Sequence, residues 1–189
     1  MFRGNPALSI ITVAYNAAVS IERTLQSYTT LQSNEIEIIV VDGGSNDDTS
    51  SVLNDHKSII TNFISEKDSG IFDAMNKGLR MSRGDWIIFI NAGDEIRFDS
   101  SIISILNKNE KHAIVYGNTL RNDGRITIPL NLNLIKTGGS PMCHQSTFYN
   151  SNVLKNELHY KTRFKYFGEN ELLMRIFLGN FSFKYIDKT

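Results

Sequence analysis

The chain has 189 residues, with 20 Lys and Arg against 20 Asp and Glu and a hydrophobic content of 41%. A balanced charge with no basic block leaves no electrostatic footprint for nucleic acid, and the apolar content excludes a mainly disordered chain. The single cysteine, Cys143, cannot close an intrachain disulfide, so a cytoplasmic protein of one domain spanning residues 1–189 is expected.

The amino-terminal stretch MFRGNPALSIITVAYN lacks the long apolar core of a signal peptide, and nowhere are there the roughly 18 consecutive apolar residues of a spanning helix. Peripheral contact with the inner face of a membrane stays open. LSIITV (8–13) reads as a strand buried on both faces. Ile21, Leu25, Tyr28 and Leu31 then form one apolar stripe of a helix over residues 17–32. EIEIIVVD (35–42) is a second strand, followed by the turn residues Gly43 and Gly44 and by a Ser/Asn/Asp/Thr cluster that caps a short helix reaching about His56. SIITNFIS (58–65) is a third strand. GIFDAMNKGLRMS (70–82) is a helix with Ile71, Met75 and Leu79 on one face, stopped by Gly84.

WIIFI (86–90), the fourth strand, ends abruptly in the polar stretch 91–95, where ligands of open α/β sheets collect. A short helix near 101–107, a strand at 113–118 and a hairpin around Asn122, Asp123 and Gly124 follow. MCHQSTFYN (142–150) reads as a strand, ENELLMRIFLG (169–179) as a helix and FSFKYI (181–186) as the last strand. The alternation predicts one α/β domain with a mostly parallel central sheet flanked by helices.

Asp42, Asp68 and Asp94 each fall just past a strand. Alone, each reads as a turn or cap residue. Recurring in register, they would line one crevice at the carboxyl ends of the strands, able to hold a base, a ribose and a metal-bound diphosphate. No P-loop and no G-x-G-x-x-G sequence is present to cradle phosphates. A divalent cation, Mg²⁺ or Mn²⁺, does the same work with one or two carboxylates plus phosphate oxygens, and Asp94 is the candidate ligand.

Four segments, SIITVAYNAAVSIERTLQS (9–27), EIIVVDGGSNDDT (37–49), SEKDSGIFDAMNKGLRMSRGDWIIFINAGDE (65–95) and CHQSTFY (143–149), resemble in order the inverting family-2 glycosyltransferases of the GT-A fold, particularly bacterial ones that build surface polysaccharides. The resemblance implies a nucleotide-sugar donor, UDP-linked by preference, bound by residues 1–97, and a glycan or lipid-linked acceptor bound by residues 98–189. It puts Ala14, Tyr15 and Asn16 beside the donor, with the Tyr15 ring on the base. Asp42 matches the first Asp of the family's V-D-D-G-S turn, and Gly43 stands where the second Asp would be, with Gly44 behind it. Asp68 matches a donor-contacting polar residue before a Gly. Asn76 and Lys77 serve the ribose or phosphates or simply face water.

The family's Asp-x-Asp metal motif corresponds here to Asn91-Ala92-Gly93-Asp94, in which Asn91 lies against the donor and only the Asp94 carboxylate remains. Inversion requires a carboxylate to take the acceptor proton, and the resemblance of FGENELLMR (167–175) to the family's Asp-x-Asp-Leu-x-x-Arg helix start gives this role to Glu169. An acidic residue there would equally complement the helix dipole. His144, Gln145 and Glu171 are the acceptor-side candidates, a satisfied buried histidine being the alternative for His144. On a strand, Cys143 and His144 would point to opposite faces, which argues against zinc. A chain ending at Thr189 is expected to lack the carboxyl-terminal lid of its relatives, and the second reading is a nucleotide-sugar-binding protein without turnover, truncated in its acceptor region. The sequence carries no signal for oligomeric state.

Overall fold

A computed structural model describes residues 4–31 and 33–188. The first three residues of the amino-terminal stretch, Gln32 at the end of the expected 17–32 helix, and Thr189 lie outside the described residues. In chain order the elements are β1 (Leu8–Ala14), α1 (Ala18–Ser27), β2 (Ile36–Asp42), α2 (Thr49–Asp55), β3 (Asn62–Ser65), α3 (Ile71–Met81), β4 (Trp86–Phe89), α4 (Ser101–Asn107) and β5 (Ile114–Tyr116). They continue with the hairpin strands β6 (Thr119–Leu120) and β7 (Ile126–Thr127), then β8 (Thr147–Asn150), α5 (Ser151–Leu154), α6 (Gly168–Leu178) and β9 (Phe183–Tyr185).

Seven strands form one sheet in the order β3-β2-β1-β4-β8-β5-β9. β1 to β4 are mutually parallel, β8 runs antiparallel between β4 and β5, and β9 pairs parallel with β5. The runs LSIITVA and IEIIVVD are buried at every position, because each strand feeds both faces. Leu8, Ile10, Ile38, Val40, Trp86 and Ile88 meet α1, α2 and α4 on one face. Ile11, Val13, Ile39, Val41, Ile87 and Phe89 meet α3 and α6 on the other. Strand order reverses between β1 and β4, so the crevice of this open sheet lies at the ends of those two strands. The fold is the expected α/β architecture with a mostly parallel sheet.

Several local expectations are corrected. α1 ends at Ser27 because the hydroxyls of Ser27, Thr29 and Thr30 donate back to the carbonyls of Thr24, Gln26 and Ser27, tightening Tyr28–Thr30 into a 3₁₀ turn. β3 starts at Asn62 rather than at residue 58, since Lys57 and Ile59 donate to Asn54 and His56 and prolong the exit from α2. On α3 the buried face is Phe72, Met75 and Gly78, while Ile71 is 44% exposed. Gly78 sets this rotation, for a Cβ there would collide with Ile11 of β1.

Gly84 is not a helix cap. It lies flat against β1, where its N–H donates to Ser9 Oγ at 2.8 Å and a Cβ would stand 2.6 Å from Ser9 N. The expected strand 142–150 is a 3₁₀ turn over His144–Ser146 before β8 begins, because Ser146 N–H and the Ser146 and Thr147 hydroxyls all donate to the Cys143 carbonyl. The opposite-face argument for Cys143 and His144 therefore has no strand to act on. The hairpin is present, with Gly124 at φ +79° in its turn.

Candidate active site

The base-side loops are built from β1 and β2. Gly43 N–H donates to the Ala14 carbonyl at 2.9 Å, which extends the parallel pairing one residue past the strands. Tyr15 then turns outward, 62% exposed. Asn16 takes a left-handed conformation, φ +47°, that asparagine tolerates. Its N–H donates to Ser45 Oγ at 2.8 Å and its Oδ1 accepts from Asn46 N–H at 2.9 Å, tying the two loops together.

Asp42 is fully buried. Its carboxylate accepts from the Ser45 N–H and hydroxyl and from Ser65 Oγ at 2.5 Å, so it organises the 43–48 loop from beneath. Gly44, at φ +79°, passes under Lys67, where a Cβ would come 3.2 Å from the Lys67 nitrogen. Asp68 Oδ1 accepts from Gly70 N–H at 2.8 Å. Lys77, only 9% exposed, is not on a solvated face: its Nζ donates to the Lys67 carbonyl at 2.9 Å and pairs with Glu66 at 2.9 Å, pinning the loop that carries Asp68. Asn76, one position earlier on α3, is engaged elsewhere. Its Nδ2 donates to the Tyr160 carbonyl at 2.7 Å and its Oδ1 accepts from Tyr160 N–H at 2.8 Å.

A second cluster stands at the ends of β4 and α6. Gln145 Nε2 donates to Asp94 Oδ1 at 3.0 Å, and His144 Nε2 lies 3.4 Å from Asp94 Oδ2. On its other side, His144 Nδ1 is 3.1 Å from Glu169 Oε1. Burial alone would lower the imidazole pKa, but the hydrogen bonds and charges of Asp94 and Glu169 outweigh it and hold His144 at about 10. Burial raises the Asp94 carboxyl, and the His144 and Gln145 hydrogen bonds overcompensate, leaving it below its ordinary value. At neutral pH an imidazolium thus bridges two carboxylates.

Asn91 Nδ2 lies 3.3 Å from the same His144 nitrogen, and its Oδ1 is buried without a hydrogen-bond partner among the described residues. Asp94 and Asn91 offer the hard oxygen donors that Mg²⁺ or Mn²⁺ takes. No cluster of three His, Cys, Asp or Glu side chains able to hold a metal occurs among the described residues. The Asp94 carboxylate and the unpartnered Asn91 Oδ1 are a donor set that fits a cation whose other ligands come from bound oxygens.

Supporting contacts unseen in the sequence come from the polar face of α1. Thr24 Oγ1 accepts from Gly93 N–H and donates to the Asp94 carbonyl, at 2.9 and 2.8 Å, while Arg23 donates to the Gly93 carbonyl and pairs with Glu95. Such residues read as a solvated helix face. Tyr149 and Tyr160 are buried beside Glu169, and burial, followed by the nearby charges, keeps both phenols protonated. Gly168 lets α6 start against Phe72, since a Cβ would stand 2.6 Å from that ring. Glu171 is drawn into a different network: it pairs with Lys161 at 2.6 Å and Arg175 at 3.1 Å, and Arg175 also donates to the Glu157 and His159 carbonyls.

Residues 9–177 match the model of glycosyl transferase family 2. A PGL/p-HBAD biosynthesis glycosyltransferase of Mycobacterium bovis is 25% identical over 186 residues, covering 91% of this chain and 70% of its own. Among solved structures, S. aureus TarS 1–349 in complex with UDP superposes with a TM-score of 0.79 at 18% identity, over 96% of this chain and 58% of that one. The mannosyltransferase PcManGT from Pyrobaculum calidifontis in complex with GDP-Man and Mn²⁺ gives 0.75 at 15% identity, over 98% and 56%. The chain spans less than two thirds of either structure. Its own fold is that of these enzymes, and the chain belongs to glycosyl transferase family 2.

Proposed function

We propose that this family-2 glycosyltransferase moves a sugar, with inversion, from a nucleoside diphosphate sugar to a hydroxyl of a glycan or lipid-linked acceptor in cell-surface polysaccharide synthesis. Residues 1–97 serve the donor and residues 98–189 the acceptor. The observation that carries the reading is the Asp94–His144–Glu169 array at the switch-point crevice, beside loops that present Tyr15 and Asp68. UDP-sugars are the first donors to test, as TarS was solved with UDP. No helix among the described residues is long and apolar enough to cross a membrane.

Tyr15 would carry the base, and the 43–48 and 66–70 loops would enclose the ribose and diphosphate. A divalent cation held by Asp94 and Asn91 would neutralise charge on the leaving diphosphate. Glu169 acts on the acceptor. His144 occupies Oε1, and Oε2 has no hydrogen bond among the described residues. The carboxylate is thereby oriented with one oxygen left to take the hydroxyl proton as that oxygen attacks the anomeric carbon opposite the leaving group. His144 and Gln145 stand where an acceptor sugar would meet the donor.

The test is sugar transfer from UDP-, TDP- and GDP-linked hexoses, with Mn²⁺, to polyprenyl-diphosphate-linked saccharides, with the product anomer assigned by NMR. Glu169→Gln should lower turnover by about 100-fold or more, with a cooperative melt lowered by the loss of the His144–Glu169 ion pair confirming that the variant still folds. Wild-type turnover in that variant would remove Glu169 as the base.

A further inference from the structure

We infer that Asp68 is the residue that reads the donor nucleobase, selecting a keto base with a ring N–H (uracil, thymine or guanine) over cytosine and adenine. The inference rests on the donor-site reading above. Of the three positions near Tyr15 where a carboxylate could stand, burial removes one and the sequence another. Asp42 is fully buried, with both oxygens engaged by Ser45 and Ser65. Position 43 carries no side chain, since glycine stands there.

The space above Gly43 belongs to Asp68. A Cβ on Gly43 would collide with Asp68 Oδ2, lie 3.2 Å from its Cγ and 3.4 Å from Tyr15 Cδ2. The Asp68 carboxylate and the edge of the exposed Tyr15 ring thus flank the same glycine. Oδ1 is fixed by Gly70 N–H at 2.8 Å, and Oδ2 carries no hydrogen bond among the described residues. The supporting loop is rigidly held through buried Lys77, which binds both Glu66 and the Lys67 carbonyl.

An ionised carboxylate accepts hydrogen bonds and donates none. A base stacked on Tyr15 would meet Oδ2 with its edge. Uracil and thymine offer N3–H, and guanine offers N1–H beside its amino group. Cytosine N3 and adenine N1 present lone pairs instead, so a carboxylate aligned with the ring nitrogen meets repulsion there and can accept only from the neighbouring exocyclic amino group. Glycine at 43 and aspartate at 68 therefore act as one unit: any side chain at 43 would displace the acceptor that position 68 supplies.

The experiment measures equilibrium binding of UDP, TDP, GDP, CDP and ADP, each with Mn²⁺, to the full chain and to Asp68→Ala, Gly43→Ala and Gly43→Asp/Asp68→Ala. It includes the preferred diphosphate methylated at the ring nitrogen (N3 of uracil or thymine, N1 of guanine). One keto-base nucleotide should bind at least about tenfold more tightly than CDP or ADP, the scale of one charge-assisted hydrogen bond. Methylation should remove that margin in the wild type and change little in Asp68→Ala. Gly43→Ala should lose the margin with Asp68 still present, and the double variant should regain part of it. Melting curves confirm that each variant folds. Equal binding of CDP, or an unchanged preference in Asp68→Ala, overturns the inference while the donor site stands. If no nucleotide binds the wild type, the donor-site reading fails, and this inference with it.

Discussion

Replacing Asn76 separates two roles that its sequence position allows. As a donor ligand it would govern nucleotide affinity, and as a clamp it would govern stability. Its amide makes two hydrogen bonds, 2.7 and 2.8 Å, to the carbonyl and N–H of Tyr160, a residue only 2% exposed. Asn76→Ala leaves both backbone groups without partners, at about 1–3 kcal/mol each. Since Asn76 is itself only half-buried and water can reach part of the gap, a total of about 2–4 kcal/mol is expected. For a chain of this size that corresponds to a melting temperature lower by roughly 5–15 °C. Asn76→Asp keeps the acceptor for Tyr160 N–H but sets a carboxylate against the Tyr160 carbonyl, so it should fall between alanine and wild type. The assay is calorimetric or fluorescence melting, paired with titration of the nucleotide that the wild type binds. Affinity should hold while stability falls. Turnover should drop as well, because Tyr160 anchors the segment that leads into Glu169. Unchanged melting with weakened nucleotide binding would refute the clamp and restore the donor role.

Asp94→Ala should abolish the extra thermal stabilisation that Mn²⁺ gives in the presence of nucleotide; retention of a metal-dependent shift, read by melting with and without chelator, would remove Asp94 as a ligand. The His144 imidazole, raised from 6.5 to about 10 in the fold, contributes stability that is complete below pH 6.5 and is lost as pH rises toward 10. In chelator, wild-type melting should therefore fall across that window, and His144→Gln should show a flatter profile; coincident profiles would contradict the bridging imidazolium. Gly84→Ala places a methyl 2.6 Å from the Ser9 backbone nitrogen and should cost about 1–3 kcal/mol, seen as a lower urea midpoint.

The four parallel strands were legible because runs such as LSIITVA and IEIIVVD, apolar at nearly every position, suit a sheet covered on both faces. The candidate site was read from strand ends, where Asp68 and Asp94 follow apolar runs, and from a family-like helix start for Glu169. What escaped was long-range pairing. Nothing local marks Asn76 as bound to Tyr160, 84 positions away, or Lys77 as buried beneath its own preceding loop. The rotation of α3 depended on one glycine fitting over Ile11, a contact that periodicity averages away. The His144 turn formed because hydroxyls at 146 and 147 competed for the Cys143 carbonyl, against a sequence rich in strand formers.

β8 enters the sheet in the reverse direction, so its first residues arrive at the edge where β4 and β5 finish. The excursion from residue 117 to 146 is therefore anchored at both ends on that edge, and its middle is held by Ile135 and Met142, buried in the core beside α6, and by the Gly138 carbonyl, which accepts from Asn170 Nδ2; the exposed part is the tip of the β6–β7 hairpin. Insertions and deletions there would change the shape of what stands over the crevice while His144 and Gln145 keep their register with Asp94. On the proposed reading, acceptor choice could diversify by rewriting that hairpin tip, leaving the proposed donor half, residues 1–97, intact.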